Sequence, residues 1–173
     1  MSVPATDFPR NSSRQVLPLL NVGCGDRPID GAVNLDRRSG HGVDVVGDLE
    51  RLPLRESSVR VVMASHVLEH AANLPRMLRE IHRVLTPGGL LLAWVPHGIH
   101  RYADNPWHTH PWTELTVRAL APDSLSTDLD RIQSGWLLRA LWTRKAGWWH
   151  IRKWLGLDVG ESFEIHFSLE AIK

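Results

Sequence analysis

Residues 19–28, Leu-Leu-Asn-Val-Gly-Cys-Gly-Asp-Arg-Pro, carry an apolar run into two glycines that flank the chain's single cysteine. The apolar part belongs to VLPLLNV at 16–22, one of three continuous runs with VRVVMAS at 59–65 and GLLLAWV at 89–95. Unbroken rather than alternating hydrophobicity suits strands covered on both faces, as in a parallel sheet under helices. Two weaker strands fit between, AVNLD at 32–36 and VDVV at 43–46. Leu74, Met77, Leu78, Ile81 and Leu85 recur at offsets of 0, 3, 4, 7 and 11, which predicts one face of a helix. Thr86-Pro87-Gly88-Gly89 ends it, because proline cannot continue a helix and glycine permits a reversal. Near the end, Phe163, Ile165, Phe167, Leu169 and Ala171 alternate strictly, predicting a late antiparallel edge strand with one face solvated. The sequence of elements is that of an α/β domain.

The chain has 173 residues, within the roughly 100–200 residues of one domain. Residues 1–15 read as a flexible N-terminus and 16–173 as the domain. With 20 Lys+Arg against 19 Asp+Glu, no global field favours nucleic acid or an anionic membrane. Cys24 has no partner for an internal disulfide, and the first residues contain no apolar core of a secretory signal, so a cytoplasmic setting is expected. No apolar run approaches the roughly 18 residues of a membrane-spanning helix.

The glycine turn follows the first strand, at the carboxyl edge where open parallel sheets bind ligands. Gly23 and Gly25 lack a Cβ, so a ligand can approach the backbone and positive φ is available. Asp36 ends the second strand, where a carboxylate can accept hydrogen bonds from a ribose diol, and Asp48-Leu49 follows the third. A dinucleotide is disfavoured, because Pro28 stands where its fingerprint needs a third glycine and Asp36 follows Gly25 by only 11 residues. The crossover is also short, nine residues from Gly23 to Gly31, which needs one short helical turn or a splayed second strand. No GxxxxGK[ST] phosphate loop is present.

Five ordered motifs carry a resemblance: Leu20-Asn21-Val22-Gly23-Cys24-Gly25, Val33-Asn34-Leu35-Asp36, Asp48-Leu49-Glu50-Arg51-Leu52-Pro53, Ser65-His66-Val67-Leu68-Glu69-His70 and Arg83-Val84-Leu85-Thr86-Pro87-Gly88-Gly89. Over about residues 17–97 the chain resembles class I S-adenosylmethionine-dependent methyltransferases, in particular the UbiE-like methyltransferase type 11 set. The resemblance implies a Rossmann-like, doubly wound, mostly parallel sheet with a shortened first crossover, and S-adenosylmethionine as cofactor. It further implies that Gly23 and Gly25 pass under the methionine part, Asp36 holds the ribose, Asp48 faces the adenine amino group with Leu49 beside it, and Ser65 and His66 line the far wall. Asn21 departs from the motif, which often has an acid there.

Methyl transfer from a sulfonium asks a protein mainly for alignment and exclusion of water, with a base only where the acceptor must lose a proton. His66 and His70 lie four apart and read either as braces of the cofactor pocket or as catalytic groups. The loop after the fifth strand supplies His97, His100, Asn105, His108 and His110. His97, Asn105 and His108 are the candidate substrate residues, and His108 and His110 the candidate bases, against the plainer reading of solvated histidines on a loop anchored by Trp and Pro. Without further cysteines or a helical HExxH, the spacing gives no metal signature, and no metal is expected.

Trp136, Trp142, Trp148, Trp149 and Trp154 cluster among Arg and Lys. This segment, 136–154, reads as part of a cap spanning 96–155, as a peripheral membrane contact, or as plain packing by a helical stripe of Trp136, Leu137, Ala140 and Leu141. The expected function is methyl transfer to an oxygen or nitrogen of a small-molecule or glycan- or lipid-linked acceptor, with no nucleic-acid partner. The alternative is a non-catalytic relative serving as a binding or scaffold protein.

Overall fold

The computed structural model describes residues 17–98, 105–120, 136–145 and 163–173. Its strands are β1 (Leu17–Val22), β2 (Val33–Asp36), β3 (Val45–Val46), β4 (Val59–Ser65), β5 (Leu85–Pro96), β6 (Trp136–Lys145) and β7 (Phe163–Ala171). They form one sheet in the order β3-β2-β1-β4-β5-β7-β6. The pairings from β3 to β5 are parallel, and β7 runs antiparallel to both β5 and β6. The predicted mostly parallel α/β sheet and its late antiparallel strand are therefore present. β6 pairs along the outer side of β7, and Ile165, His166, Phe167, Ser168 and Leu169 are all buried. Both faces of β7 are thus covered, in place of the expected solvated face.

The central runs are buried for the reason their composition suggests. Leu20, Val22, Leu35, Val62, Ala64, Leu91 and Val95 are inaccessible to solvent. Helix α1 (Leu74–Val84) lays Leu74, Met77, Leu78, Ile81 and Val84 into this core; the first four are the stripe expected from spacing, while the fifth expected member, Leu85, is buried as the first residue of β5 instead. Asn73 caps it by accepting a hydrogen bond from the Arg76 N–H at 3.0 Å. The helix stops at Leu85, which turns extended and enters β5 directly. The register jumps from Val59↔Leu85 to Val61↔Leu90, so Thr86–Gly89 is a bulge at the start of β5.

The short crossover contains neither a helical turn nor a splayed strand, because β2 pairs directly with β1 from Leu20↔Val33 to Val22↔Leu35. Asn34 makes this possible. Its Oδ1 accepts from the Ile29 N–H at 2.8 Å and from Asn21 Nδ2 at 2.9 Å, while its Nδ2 donates to the Ile29 carbonyl at 3.1 Å. Two reverse turns, Arg27 N–H to Cys24 O and Ala32 N–H to Ile29 O, complete the path. A side-chain hub thus satisfies backbone groups that a crossover helix would have satisfied internally.

Residues 136–141 depart from the helical stripe predicted for them: they lie in β6, which pairs with β7 from Trp136↔Ala171 to Lys145↔Phe163. A short apolar run is compatible with either helix or strand, and the open side of β7 decides in favour of strand. Trp136 is buried and meets the His82 ring edge-on at 5.0 Å. Half of the segment proposed as cap or membrane contact is therefore sheet, and residues 146–154 lie outside the described residues. So do His100 and the N-terminal 16 residues. Among the described residues no helix is long and apolar enough to cross a membrane.

Candidate active site

The chain leaves β1 for β2 on one side and reaches β4 on the other, so a topological switch point falls between β1 and β4. A cavity of about 660 Å³ opens at the carboxyl ends of these two strands. Its walls include Asn21, Gly23, Cys24 and Gly25 from the first turn, Ser65, His66, Glu69 and His70 after β4, Asn105 and His108 from the later loop, and Glu164 from β7. That volume lies within the range of about 300–1,000 Å³ usual for small-molecule sites.

The two glycines have different reasons to be glycine. Gly23 has φ +63°, and a Cβ there would stand 2.4 Å from Val67 Cγ2, so it lets the segment after β4 pack against the turn. Gly25 has φ +50°, and a Cβ there would meet nothing within 4 Å. Its open backbone lines the cavity, and the Asp36 carboxylate accepts its N–H through Oδ2 at 3.0 Å. Asp36 Oδ1 accepts from the Arg38 N–H at 2.9 Å, which fixes the carboxylate at the end of β2. Cys24 is buried, and burial followed by the charge of Asp36 pushes its thiol up, which disfavours the reactive thiolate.

The opposite wall is built from ionisable groups. His66 has φ +51°, an uncommon conformation for a residue with a Cβ, and this turn sets its ring between two carboxylates. Nδ1 lies 3.5 Å from Glu69 Oε1, and Nε2 lies 3.4 Å from Glu164 Oε1. The Glu69 contact, ahead of opposing burial, raises the pKa of His66. Glu69 is 1% exposed, and its Oε2 is buried without a hydrogen-bond partner. Its backbone carbonyl holds the later loop by accepting from the Thr109 N–H at 2.9 Å, and Thr109 Oγ1 donates to the Ala71 carbonyl at 2.6 Å. That clasp brings His108 against His70, with ring centroids 4.7 Å apart. Burial lowers the pKa of His108 against the opposing charge of Glu69, which favours the neutral imidazole.

Of the residues expected from sequence, Gly23, Gly25, Ser65, His66, Asn105 and His108 converge on the cavity. Asp36 stands behind Gly25, tied to its amide. Asp48 is exposed, with Oδ1 accepting from the Glu50 N–H at 2.9 Å, and Leu49 is buried in the core. Neither borders the cavity. His97, a candidate substrate residue, instead contacts Glu114 at 3.1 Å and is 8% exposed. His110 also lies off the cavity wall, with Nε2 buried and unpartnered. Sequence reading missed Glu69 and Glu164 as wall residues. Glu69 sits in a motif already singled out, whereas Glu164 shows only as a polar residue in an alternating strand.

A domain profile described as "Methyltransferase domain" matches residues 27–93, from just after the glycine turn to the middle of β5. Over these 67 of its 173 residues the chain is similar to that domain. The ubiquinone/menaquinone biosynthesis C-methyltransferase UbiE of Rubrivivax gelatinosus is 43% identical over 91 residues, 53% of this chain and 34% of that protein. A malonyl-[acyl-carrier protein] O-methyltransferase of Pectobacterium atrosepticum is 31% identical over 86 residues, 48% of this chain and 34% of that one. The chain thus spans about a third of the length of each of these relatives. Likeness of fold extends beyond the matched sequence. A Haloferax volcanii methyltransferase structure, solved with the Trm112 activator, superposes with a TM-score of 0.62 at 15% identity over 95% of this chain and 86% of that one.

Proposed function

We propose that the chain binds S-adenosylmethionine at the β1/β4 switch point and transfers its methyl group to an oxygen or nitrogen of a small-molecule or glycan- or lipid-linked acceptor. The observation that carries this reading is the cavity itself, bounded by the bare Gly25 backbone on one side and by Ser65, His66 and His108 on the other. The residues suit such a cofactor. Gly25 leaves room where any side chain would intrude, and Asp36 sits one hydrogen bond away with acceptor capacity remaining on both oxygens.

Gly23 and Gly25 would hold the methionine part, Asp36 the ribose hydroxyls, and the Asp48-Leu49 turn the adenine along the β2–β3 edge. Ser65 and His66 would close the far wall. When bound, the cofactor supplies a methyl group already activated by its sulfonium. The protein aligns the acceptor and excludes water. Asn105 and His108 face the acceptor side, and the neutral His108 ring can orient a hydroxyl or amine or take its proton. Calorimetric titration with S-adenosylhomocysteine, NAD and ATP tests the cofactor assignment. Binding of S-adenosylhomocysteine alone supports it, and binding of either other nucleotide in its place would overturn it. Methyl incorporation across hydroxyl and amine acceptors then tests the reaction.

A further inference from the structure

We infer that Glu69, His70 and His108 form a site for a divalent transition-metal ion of the zinc type, on the acceptor side of the cavity. One ligand atom from each of the three residues lies within 4.8 Å of the other two. Ligands around tetrahedral zinc sit about 3.3 Å apart, so closing the site takes only small side-chain rotations. Two imidazoles and one carboxylate on one side of an ion leave positions open for water or substrate, a donor set that suits borderline first-row metals.

Three observations distinguish this cluster from a chance grouping of surface residues. First, Glu69 is almost completely buried, yet its Oε2 has no hydrogen-bond partner, while Oε1 faces His66. A polar oxygen without a partner in the interior is costly, and a cation beside it removes that cost. Second, His108 Nδ1 is likewise buried and unpartnered. Third, His70 Nδ1 lies 3.1 Å from the Trp107 carbonyl, which can only accept, so Nδ1 carries the proton and Nε2 keeps its lone pair. Orientation of a ligating histidine by a backbone carbonyl is the usual outer support of a metal site. A lone base at His108 would account for neither the open oxygen of Glu69 nor the tautomer that the Trp107 carbonyl imposes on His70.

The three residues also line the cavity, so the open coordination positions face the space proposed for the acceptor. The ion would bind an acceptor oxygen there, narrowing the acceptor class to hydroxyl- or carboxylate-bearing molecules; His108 would then serve as ligand in place of the base role above, a carboxylate would need no base, and a hydroxyl made more acidic by the ion would lose its proton to water. This last step rests on the methyl-transfer reading above.

The test uses the full chain without an affinity tag, stripped of metal by a chelator and titrated with Zn²⁺ by calorimetry and with Co²⁺ by visible absorption. The expected result is one equivalent bound, with cobalt d–d bands. Glu69→Gln, His70→Gln and His108→Gln should each weaken binding at least about tenfold, while His41→Gln on an exposed loop should not. His70 is exposed, so its variant guards against loss of folding, which circular dichroism checks in all four. Equal binding by wild type and the three site variants, or less than one equivalent in wild type, would overturn the inference. S-adenosylhomocysteine titrated into the same samples keeps the two readings separate. Its binding without metal binding removes the metal site alone, and the reverse removes the cofactor assignment alone.

Discussion

The two walls of the cavity are built on opposite principles. The wall at the end of β1 is backbone: two glycines at positive φ, held by a turn that Asn34 and Asp36 pin through amide hydrogen bonds. The wall after β4 is side chain: His66, Glu69, His70, His108 and Glu164, drawn from three separate stretches of sequence. The first is mainly shape at its glycines, with Asp26 and Arg27 next in the chain, and its bare backbone takes a ligand by leaving space. The second is charge with incomplete pairing, and it can act on a ligand only by what that ligand or an ion supplies. Changes in the first wall should therefore register as stability and affinity, and changes in the second as chemistry.

The largest expected effect is within the backbone wall. Gly23→Ala combines a strained φ with overlap against Val67 and should cost about 2–5 kcal/mol in urea denaturation. Gly25→Ala, with open space ahead of it, should cost about 1 kcal/mol, mostly strain, yet weaken S-adenosylhomocysteine more than its stability cost implies. If the two variants lost stability equally, the distinction between a packing glycine and a ligand-facing one would not hold. Asp36→Ala should weaken S-adenosylhomocysteine by about 1–3 kcal/mol in calorimetry, and an unchanged affinity would end its ribose assignment.

Across the cavity, Glu69→Gln keeps an acceptor oxygen available beside His66 and replaces the oxygen that has no partner, so stability should change by no more than about 1 kcal/mol. A loss as large as that for Gly23→Ala would make the far wall structural and break the contrast. The smallest effect concerns a fully paired carboxylate used as a reference. Glu80 receives two hydrogen bonds from Arg83, both at 2.8 Å, and one from the Leu52 N–H at 2.9 Å. Arg83, ahead of opposing burial, lowers its pKa from 4.5. A depressed folded-state pKa stabilises the protein above the unfolded value and is lost as pH falls through the folded one. Denaturation midpoints of Glu80→Gln and wild type should therefore converge as pH drops below about 4.5 and separate above it. Parallel curves at every pH would remove the linkage.

The same division explains what could be read from the sequence. The parallel strands and α1 were legible because unbroken apolar runs and a helical period are local signals of burial. The glycine turn and Asp36 were legible because backbone geometry restricts residue choice within a dozen positions. The route of the short crossover was not, since nothing local marks Asn34 as a hub. Nor was β6, whose apolar spacing fits a helix until β7 offers an unpaired side. The juxtaposition of Glu69 and His108 was invisible for a different reason: it depends on Thr109 clasping the backbone at Glu69 and Ala71, a contact between segments with no shared periodicity.

β7 has a consequence for how the protein comes to be competent. Glu164 lies at the cavity end of this strand, and at the other end the Lys173 ammonium donates to the Arg83 carbonyl at 2.8 Å. Successive residues of a strand lie roughly 3.4 Å apart and point to opposite faces, so a slip of one residue would turn Glu164 away from His66. The contact between β5 and β7 also joins residues far apart in sequence, so closing it costs more chain entropy than the neighbouring parallel pairings do. The second carboxylate beside His66 is thus in place only when β7 is docked on β5 in this register.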